Sequence, residues 1–326
     1  MTPLKGKVFI TALSFSRYTP EPKNLLEEQG LELVWNDKGR PLTEDELREI
    51  MTSHPSILAL LVGVDPVTAK VIEAAPKLKV IAKHGVGVDN IDISAARSRG
   101  VVVTNAPGSN TQSVADLVWG LLLAAARGIP CADRITRQKR WDRVVGNEVW
   151  EKTLGIIGTG RIGLAVAHRA RGFNMRLLAY DPCPNNEAAG RLGITYTSLD
   201  DLLKESDFVS LHAPLTPETY HLIDEKKLGI MKKDAILINT ARGELVDEEA
   251  LYRALKTGQI KAAALDVFSE EPPTNSCLLG LDNVVVTPHL GAYTREANLK
   301  MGLAAAINII KVLKGEKADF ELNYEV

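Results

Sequence analysis

Cysteine is scarce in this sequence. Cys131, Cys183 and Cys277 are the only cysteines among 326 residues, and they are far apart and odd in number. They form neither a CxxC pair nor a disulfide framework, which excludes a small fold held together by disulfides. We therefore expect a reducing, cytoplasmic setting. We also expect no metal site.

Long apolar runs and runs of one charge are also missing. Lysine and arginine do not cluster and the formal net charge is −2, so we expect neither a nucleic-acid nor a membrane partner. Residues Met1–Ile10 lack the apolar core of a signal peptide. The longest apolar run, around Leu121–Ala126, ends at Arg127 and is too short to cross a bilayer.

Short apolar runs alternate with helix-like segments along almost the whole chain. The length predicts two domains at ~150 residues each, and 45% apolar with 25% charged residues is typical of a globular protein. The alternation predicts an α/β fold with parallel sheets and crossover helices. The strand-like runs are Val8–Leu13, Leu31–Trp35, Ile57–Val62, Lys79–Ala82, Val101–Thr104, Leu154–Ile157, Arg176–Tyr180, Phe208–Leu211, Ala235–Asn239, Ala262–Val267 and Val284–Thr287.

Helix signals lie between these runs. Thr43 to Glu46 is a capping-box pattern that predicts a helix through Met51. Thr216-Pro217 places proline at the first position of another predicted helix. The stretch Ser113–Arg127 is apolar almost all round, so we expect a buried helix, either between domains or between subunits.

The strongest single motif is Gly158-Thr159-Gly160-Arg161-Ile162-Gly163. It follows an apolar strand and opens a predicted helix, which is the context of a dinucleotide-binding loop. Gly158 permits the tight turn, Gly160 lets the backbone approach a pyrophosphate, and Gly163 allows helix and strand to pack closely. The phosphates would then face free N–H groups at the helix start.

The next strand ends at Asp181, 18 positions beyond Gly163. A carboxylate there can accept hydrogen bonds from the adenosine ribose hydroxyls and repels the 2′-phosphate of NADP. The following residues, Pro182 to Asn185, include no arginine that would bind that phosphate. The sequence therefore favours NAD as the cofactor.

Three polar motifs follow later strands, at the edge where open α/β sheets bind ligands. They are Asn239-Thr240-Ala241-Arg242-Gly243, Asp266-Val267-Phe268-Ser269-Glu270-Glu271-Pro272 and Thr287-Pro288-His289-Leu290-Gly291.

With these motifs the chain resembles the D-isomer-specific 2-hydroxyacid dehydrogenase family, and within it the D-3-phosphoglycerate dehydrogenases, whose reaction belongs to serine biosynthesis. The resemblance covers nearly the whole chain. It also includes Gly85-Val86-Gly87-Val88-Asp89-Asn90, Asn105-Ala106-Pro107-Gly108 and His212-Ala213-Pro214. It implies two doubly wound parallel-sheet domains, a flavodoxin-like substrate domain at 1–104 plus 294–326 and a Rossmann NAD domain at 105–293. The active site would lie in the cleft, and the protein would be a homodimer joined through Val114–Ala126 and the segment to Trp141.

The resemblance also assigns site residues. It implies a catalytic set of Arg242, Glu271 and His289; Glu270 adjoins Glu271, and only the family's Glu-Pro pattern selects the latter. The implied cofactor contacts are Gly158, Gly160, Arg161, Ile162, Gly163, Asp181, His212, Pro214, Thr240, Ala241, Asp266 and Gly291. The implied or candidate substrate contacts are the backbone amides of Val86 and Gly87 and the side chains of Lys83 and Arg143.

The residue types of the catalytic set suit the exchange of a hydride and a proton at C2 of a small 2-hydroxy or 2-keto acid. His289 can give or take the proton near neutral pH. Glu271 would stabilise the imidazolium form and fix the tautomer. Arg242 offers a fork of donors for the substrate carboxylate and the reacting oxygen.

D-3-Phosphoglycerate is the leading single candidate for the substrate, but its phosphate lacks one expected partner. Many phosphoglycerate dehydrogenases have an Arg-Ser pair after the third strand, where this chain has Gly63 and Val64. Lys83 and Arg143 could bind a phosphate instead. A glyoxylate or hydroxypyruvate reductase is therefore an alternative on the same scaffold. An NAD-sensing, corepressor-like binding protein is an alternative of another class, which steady NADH turnover would distinguish from an enzyme.

Overall fold

The computed structural model describes residues 4–322, which fold into two compact units. The first unit comprises the described residues up to Asn110 and those from Ala292 onward, and the second runs from Thr111 to Gly291. The boundaries fall at Asn110 and Ala292 rather than at the predicted 104 and 294. The long helix that opens the second unit begins at Thr111, which accounts for the later first boundary.

The first unit contains a five-stranded parallel sheet with the order β2-β1-β3-β4-β5. Its strands are rich in β-branched and leucine residues, as expected for a sheet that is covered on both faces. Phe9 and Leu60 lie in one apolar layer, and Ile10 and Leu61 lie in the other. The strands are β1 Lys7–Ile10, β2 Glu32–Trp35, β3 Ile57–Val62, β4 Val80–Lys83 and β5 Val102–Thr104.

Helices pack on both faces of this sheet. The predicted capping box at Thr43 is confirmed, because its hydroxyl accepts from the Glu46 N–H while the Glu46 carboxylate accepts from the Thr43 N–H. The last helix of the chain also belongs to this unit, where Ile309 is fully buried. The helices are α1 Glu21–Glu28, α2 Glu44–Ser53, α3 Ala69–Glu73, α4 Ile93–Ser98 and, from the C-terminal segment, α12 Arg295–Leu313.

The second unit contains a seven-stranded parallel sheet with the order β12-β11-β10-β9-β6-β7-β8. The chain order reverses beside β6, because β7 lies on one side of it and β9 on the other. Such a switch point leaves a crevice beyond the carboxyl ends of the strands. The strands are β6 Thr153–Ile157, β7 Arg176–Tyr180, β8 Ile194–Tyr196, β9 Phe208–Leu211, β10 Ile236–Asn239, β11 Ala262–Leu265 and β12 Val284–Val286.

The helices of the second unit include the long apolar one that the sequence predicts. The helices are α5 Thr111–Arg127, α6 Ile129–Arg137, α7 Arg161–Ala170, α8 Asn186–Leu192, α9 Leu199–Glu205, α10 Glu225–Ile230 and α11 Glu248–Thr257. Three short 3₁₀ helices lie at Arg171–Phe173, Gly243–Leu245 and Cys277–Gly280.

The α5 helix packs against α7, β10 and β11 of its own unit, with Val118 and Leu122 fully buried and Leu117 and Leu123 partly buried. One expectation about helices is wrong. The segment at Thr216-Pro217 forms turns rather than a helix, because the Thr219 hydroxyl bonds the Thr216 N–H and the Pro214 carbonyl. The short edge strand β8 was not predicted.

No single helix within residues 4–322 is both long and apolar enough to span a membrane. Only the bent pair Thr111–Arg127 and Ile129–Arg137, taken together, meets that test, and it does so on length and composition alone.

Candidate active site

The glycine loop lies at the switch point, between β6 and α7. Gly158 has φ +93°, and an added Cβ would lie 2.7 Å from the His212 carbonyl carbon. At Gly163 an added Cβ would lie 2.1 Å from the Gly158 carbonyl oxygen, so only glycine allows this helix to approach the strand. Gly160 is exposed and its Cβ position is open, which leaves space over the N-terminus of α7. Arg161 and Ile162 begin this helix. This arrangement fits the pyrophosphate of a dinucleotide.

Asp181 follows β7 and faces the glycine loop. Its Oδ2 accepts from the N–H and the hydroxyl of Thr159, at 2.7 and 2.9 Å, and its Oδ1 accepts from the Cys183 N–H at 2.8 Å. Burial by itself raises the pKa of Asp181, but the three hydrogen bonds outweigh it and lower the pKa below its ordinary value. The side chain is therefore a carboxylate at neutral pH, as the predicted ribose contact requires.

His212 and Pro214 follow β9 on the other side of the loop. The His212 N–H donates to the Ile157 carbonyl at 2.7 Å, and its Nε2 lies 2.9 Å from the Ser210 hydroxyl. Burial lowers the pKa of His212 to about 3, so the ring is neutral. Pro214 is exposed. The His212 backbone thus lies beside Gly158, near where the adenosine side is expected, and Pro214 follows two residues later.

Arg242 is positioned by the turn after β10. The Asn239 amide closes this turn, because Nδ2 donates to the Arg242 carbonyl at 2.7 Å and Oδ1 accepts from the Ala241 N–H at 3.0 Å. Gly243 then packs on the backbone after β11, where an added Cβ would lie 2.0 Å from the Phe268 carbonyl carbon. Thr240 is buried and its Oγ1 has no hydrogen-bond partner within residues 4–322. An unpaired buried hydroxyl at this edge fits a ligand-binding position.

Asp266 anchors the loop that carries His289. The Leu290 N–H donates to Oδ1 at 2.7 Å, the Gly291 N–H donates to Oδ2 at 2.8 Å, and the Thr287 hydroxyl also donates to Oδ1. Burial raises the pKa of Asp266 above its ordinary value, against the opposing effect of these bonds. The carboxyl group of Asp266 therefore holds the 287–291 loop through hydrogen bonds. Its position after a strand did not indicate this role.

Glu271 and His289 form a direct pair. His289 Nδ1 lies 2.8 Å from Glu271 Oε2, while Oε1 accepts from the Phe268 N–H at 3.2 Å. Burial by itself raises the pKa of Glu271, but the hydrogen bond and charge of His289, the Phe268 N–H and the charge of Arg242 outweigh it, so the pKa is lowered. Because Glu271 is ionised and binds Nδ1, a proton on Nδ1 is favoured and Nε2 is the nitrogen left for a substrate.

The His289 backbone has φ +52°, which is uncommon for a residue other than glycine. The peptide N–H is held by the carbonyls of Asp266 and Thr287, at 2.9 and 3.1 Å. A residue kept in such a conformation by its surroundings is a candidate for function rather than for stability.

The candidate substrate residues of the first unit lie after β4. The Val86 and Gly87 N–H groups donate to no acceptor among residues 4–322, while the Asn105 amide holds the Val86 carbonyl at 2.8 Å. The Lys83 side chain is buried, and its ammonium donates to the Gly63 carbonyl and to Asn90 Oδ1, both at 2.7 Å. Lys83 therefore ties the loops after β3 and β4 together, which its position in the sequence did not indicate.

Arg143 belongs to the second unit and lies in an exposed irregular segment after α6. No hydrogen bond or ion pair of its side chain occurs within residues 4–322. Across the same described residues, no three His, Cys, Asp or Glu side chains are grouped in a way that could hold a metal ion.

Four positioning residues were not assigned from the sequence. Asn239 and Gly243 shape the Arg242 turn, the Thr159 hydroxyl donates to Asp181, and the Tyr196 hydroxyl bonds Thr159. Asn239 and Thr159 stand inside recognised motifs, so their polarity was an available signal. Nothing in the sequence indicated a role for Tyr196, because its approach to Thr159 depends on how β8 pairs with β7.

Residues 119–291 match the family model of the D-isomer specific 2-hydroxyacid dehydrogenase NAD binding domain. The chain is 44% identical over 99% of its length to a glyoxylate reductase of Korarchaeum cryptofilum, and covers 97% of that protein. It is 50% identical over 86% of its length to a D-3-phosphoglycerate dehydrogenase of Methanocaldococcus jannaschii, of which it covers 54%.

A solved structure agrees with these relatives. The D-lactate dehydrogenase of Aquifex aeolicus, complexed with NAD and lactic acid, has a TM-score of 0.85 and 30% identity, with 98% of this chain and 100% of that chain covered. The chain therefore belongs to the D-isomer-specific 2-hydroxyacid dehydrogenase family. It is an NAD-dependent oxidoreductase of small 2-hydroxy or 2-keto acids, which decides against the corepressor-like alternative.

Proposed function

We propose that this enzyme reduces a small unphosphorylated 2-keto acid, glyoxylate or hydroxypyruvate, with NADH. The observation that carries this choice is the engagement of the Lys83 ammonium by Gly63 and Asn90. A phosphate needs fixed positive charge. Of the two positions in the first unit that were expected to supply it, one is Lys83, whose ammonium already donates to two protein groups, and the other is Gly63, which has no side chain. The full-length similarity to a glyoxylate reductase supports the same choice.

Arg242, Glu271 and His289 carry the chemistry in this proposal. NADH, when bound, supplies the hydride for C2 of the 2-keto acid. His289 donates the proton to the C2 oxygen from Nε2, because Nδ1 is held by Glu271. In the opposite direction a neutral His289 accepts the hydroxyl proton at the same atom. Glu271 keeps the ring in one orientation and stabilises its charged form.

The substrate carboxylate is the common recognition element. We assign it to the Arg242 guanidinium, whose planar fork matches a carboxylate. The Val86 and Gly87 N–H groups are further donors, and their lack of an acceptor among the described residues supports this. Discrimination between keto acids then depends on what meets the group beyond C2.

We assign the cofactor contacts to the positions predicted from the sequence. The Gly158, Gly160 and Gly163 loop with Arg161 and Ile162 would receive the pyrophosphate, and Asp181 would bind the ribose. Thr240 and Ala241 would line the cofactor, and His212 with Pro214 would lie by the adenosine. Asp266 and Gly291 are assigned to the nicotinamide carboxamide region; since Asp266 accepts from Gly291, its part there is to hold the loop as well.

We further infer a homodimer and a cytoplasmic setting. The exposed apolar residues after α5, which include Ile129, Trp141 and Val145, would be covered by a partner subunit. The three cysteines are free thiols, which supports a reducing compartment.

D-3-Phosphoglycerate dehydrogenase activity is the second candidate. The 50% identity to the Methanocaldococcus enzyme favours it, as does the exposed Arg143, which could bind a phosphate. It would place the enzyme in serine biosynthesis.

One substrate panel separates the two candidates. kcat/KM with NADH is measured for glyoxylate, hydroxypyruvate and 3-phosphohydroxypyruvate, in the unaltered enzyme and in Arg143→Ala, with Arg253→Ala on exposed α11 as the matched control. We expect an unphosphorylated acid to be preferred and Arg143→Ala to change little. A preference for 3-phosphohydroxypyruvate that Arg143→Ala lowers about tenfold, the size of a lost charge-assisted contact, would establish the second candidate instead.

A further inference from the structure

A chain of four hydrogen bonds leads to the carboxylate of Asp181. The Asn185 N–H donates to the Tyr196 hydroxyl oxygen at 3.0 Å, and the Tyr196 and Thr159 hydroxyl oxygens are 2.8 Å apart. Thr159 then reaches Asp181 Oδ2 twice, from its hydroxyl at 2.9 Å and from its N–H at 2.7 Å. The chain thus connects the start of α8, the edge strand β8 and the glycine loop.

The direction of every proton in this chain follows from the groups themselves. A backbone N–H only donates and a carboxylate only accepts. The single Thr159 hydroxyl proton therefore points to Asp181, so the Thr159 oxygen accepts from Tyr196. The Tyr196 oxygen in turn accepts from Asn185. Each hydroxyl donates once and accepts once, and the chain ends on the carboxylate.

The chain also determines which oxygen of Asp181 remains open. Each carboxylate oxygen has two lone pairs. Oδ2 receives both Thr159 donors and is saturated, whereas Oδ1 receives only the Cys183 N–H. The remaining lone pair of Asp181 is on Oδ1, in a fixed direction, which is where a ribose hydroxyl can donate.

We propose that Tyr196 and Thr159 are positioning residues that set the preference for NAD by holding Asp181 in this orientation. The inference rests on the proposed ribose contact of Asp181. Without the Tyr196 donor, the Thr159 oxygen lacks a partner and its hydroxyl is free to rotate away from Asp181. The carboxylate then loses a donor as well as its fixed direction, so it binds the ribose diol and repels a 2′-phosphate less effectively.

Direct cofactor titration tests the proposal without any keto acid. The dissociation constants of NADH and NADPH are measured by the fluorescence of the reduced nicotinamide, and the preference is the ratio of the two constants. Tyr196→Phe removes only the hydroxyl. Tyr252→Phe is the matched control, because its hydroxyl also has one hydrogen bond, from Lys256 at 3.1 Å on the exposed face of α11. Melting temperatures without cofactor show whether each variant is folded.

We expect Tyr196→Phe to weaken NADH binding and reduce the preference for NADH by about threefold to tenfold, the range that one hydrogen bond supports. Tyr252→Phe should leave both constants unchanged. Thr159→Val should match or exceed the Tyr196→Phe effect, and Thr159→Ser, which keeps the hydroxyl, should restore the preference. If Tyr196→Phe folds poorly, the comparison of Thr159→Val with Thr159→Ser still tests the proposal.

Asp181→Ala is the reference that separates two ways of failing. If Asp181→Ala reduces the preference but Tyr196→Phe and Thr159→Val do not, the proposal for Tyr196 and Thr159 is wrong while the ribose contact stands. If Asp181→Ala leaves the preference unchanged, the ribose contact itself is wrong and the inference fails with it. Equal loss of NADH and NADPH binding with a lower melting temperature would assign Tyr196 a structural role only and would also overturn the proposal.

Discussion

At the scale of single residues, the pair of Glu271 and His289 matters most, because it determines which nitrogen of the imidazole can meet a substrate. Glu271 lies 18 positions before His289, on the loop of a neighbouring strand, and the 2.8 Å contact joins the two loops. The positive φ of His289 aims the ring from a backbone conformation that costs ~1–2 kcal/mol for a residue with a Cβ. The surrounding hydrogen bonds offset that cost.

His289→Ala should lower kcat by about 10²–10⁴ while NADH binding changes little, because general acid–base groups contribute that much. The measurement combines steady-state turnover with NADH fluorescence titration. His54→Ala, at the exposed end of α2, is the control and should keep full activity. Loss of activity below tenfold would remove His289 from the role of proton donor.

Glu271→Gln should move the pH profile of keto-acid reduction to lower pH. The lowered pKa of Glu271 means that the carboxylate is ionised across the working range, where it stabilises the imidazolium that donates the proton. Glutamine is neutral at every pH, so the charged ring is disfavoured and reduction declines earlier as the pH rises. Glu270→Gln, next in the chain and outside the Glu271–His289 pair, is the matched control. A profile that does not move would exclude Glu271 from the mechanism.

At the scale of elements, the turn from β6 into α7 separates two demands on glycine. Gly163 is required by packing, since a Cβ would collide with the Gly158 carbonyl. Gly160 has open space at its Cβ position and a backbone conformation that alanine can adopt, so its requirement comes from the approach of a ligand. The sequence motif alone does not distinguish a glycine required by packing from a glycine required by the approach of a ligand.

Two alanine variants test this difference. Gly160→Ala should leave the melting temperature of the free enzyme nearly unchanged and weaken NADH binding tenfold or more. Gly163→Ala should lower the melting temperature, because backbone atoms must move to admit the Cβ. Gly120→Ala on α5, where a Cβ meets no atom, is the control for both. Normal NADH binding by Gly160→Ala would contradict the placement of the pyrophosphate at this loop.

At the scale of the whole molecule, we expect acid stability to depend on two histidines with lowered pKa values, one in each unit. Burial lowers the pKa of His84 to about 4 and that of His212 to about 3. The unfolded chain takes up these protons near 6.5, above the folded values, so the contribution of the two histidines to folding stability is fully present above that pH. That contribution is lost as the pH falls from about 6.5 through the folded pKa values. For His84 the full effect is roughly 3 kcal/mol, at about 1.4 kcal/mol for each pKa unit.

The melting temperature should therefore fall steadily between pH 7 and pH 4.5. His84→Leu should show a shallower fall in the first unit's transition, because the neutral side chain has no proton to take up. His54→Leu, exposed on α2, should behave like the unaltered enzyme. A His84→Leu curve parallel to that of the unaltered enzyme would show that other groups dominate the acid response.

The proposed dimer concerns a surface of the second unit that follows α5. Trp141 is 82% exposed and Val145 is 89% exposed, which is unusual for large apolar side chains unless a partner covers them. Light scattering at micromolar concentration should give twice the mass of one chain, and Trp141→Glu should lower it. Tyr220→Glu, at another exposed aromatic residue, should leave the mass unchanged. A stable monomer in the unaltered protein would refute the dimer.

Much of this architecture could be predicted from the sequence because its signals are local. The apolar runs that form β6 and β10 are continuous, as expected for strands buried on both faces, and the cap at Thr43 depends on residues three positions apart. The glycine motif is recognisable because one turn, one close approach and one helix start need glycine at fixed spacing. The NAD cofactor and the family could be predicted because several such motifs occur one after another along the chain.

Only the tertiary structure decided the features that depend on residues far apart in the chain. The α5 helix is apolar almost all round, and its sequence does not say whether a domain, a partner or its own sheet covers it. The Lys83 ammonium meets the Gly63 carbonyl only because β3 and β4 pair, which brings the loops after these strands together. Tyr196 reaches Thr159 only because β8 pairs with β7, across 37 positions of sequence. Periodicity and motifs report what one segment prefers, whereas hydrogen-bond partners across a sheet are set by the order in which its strands assemble.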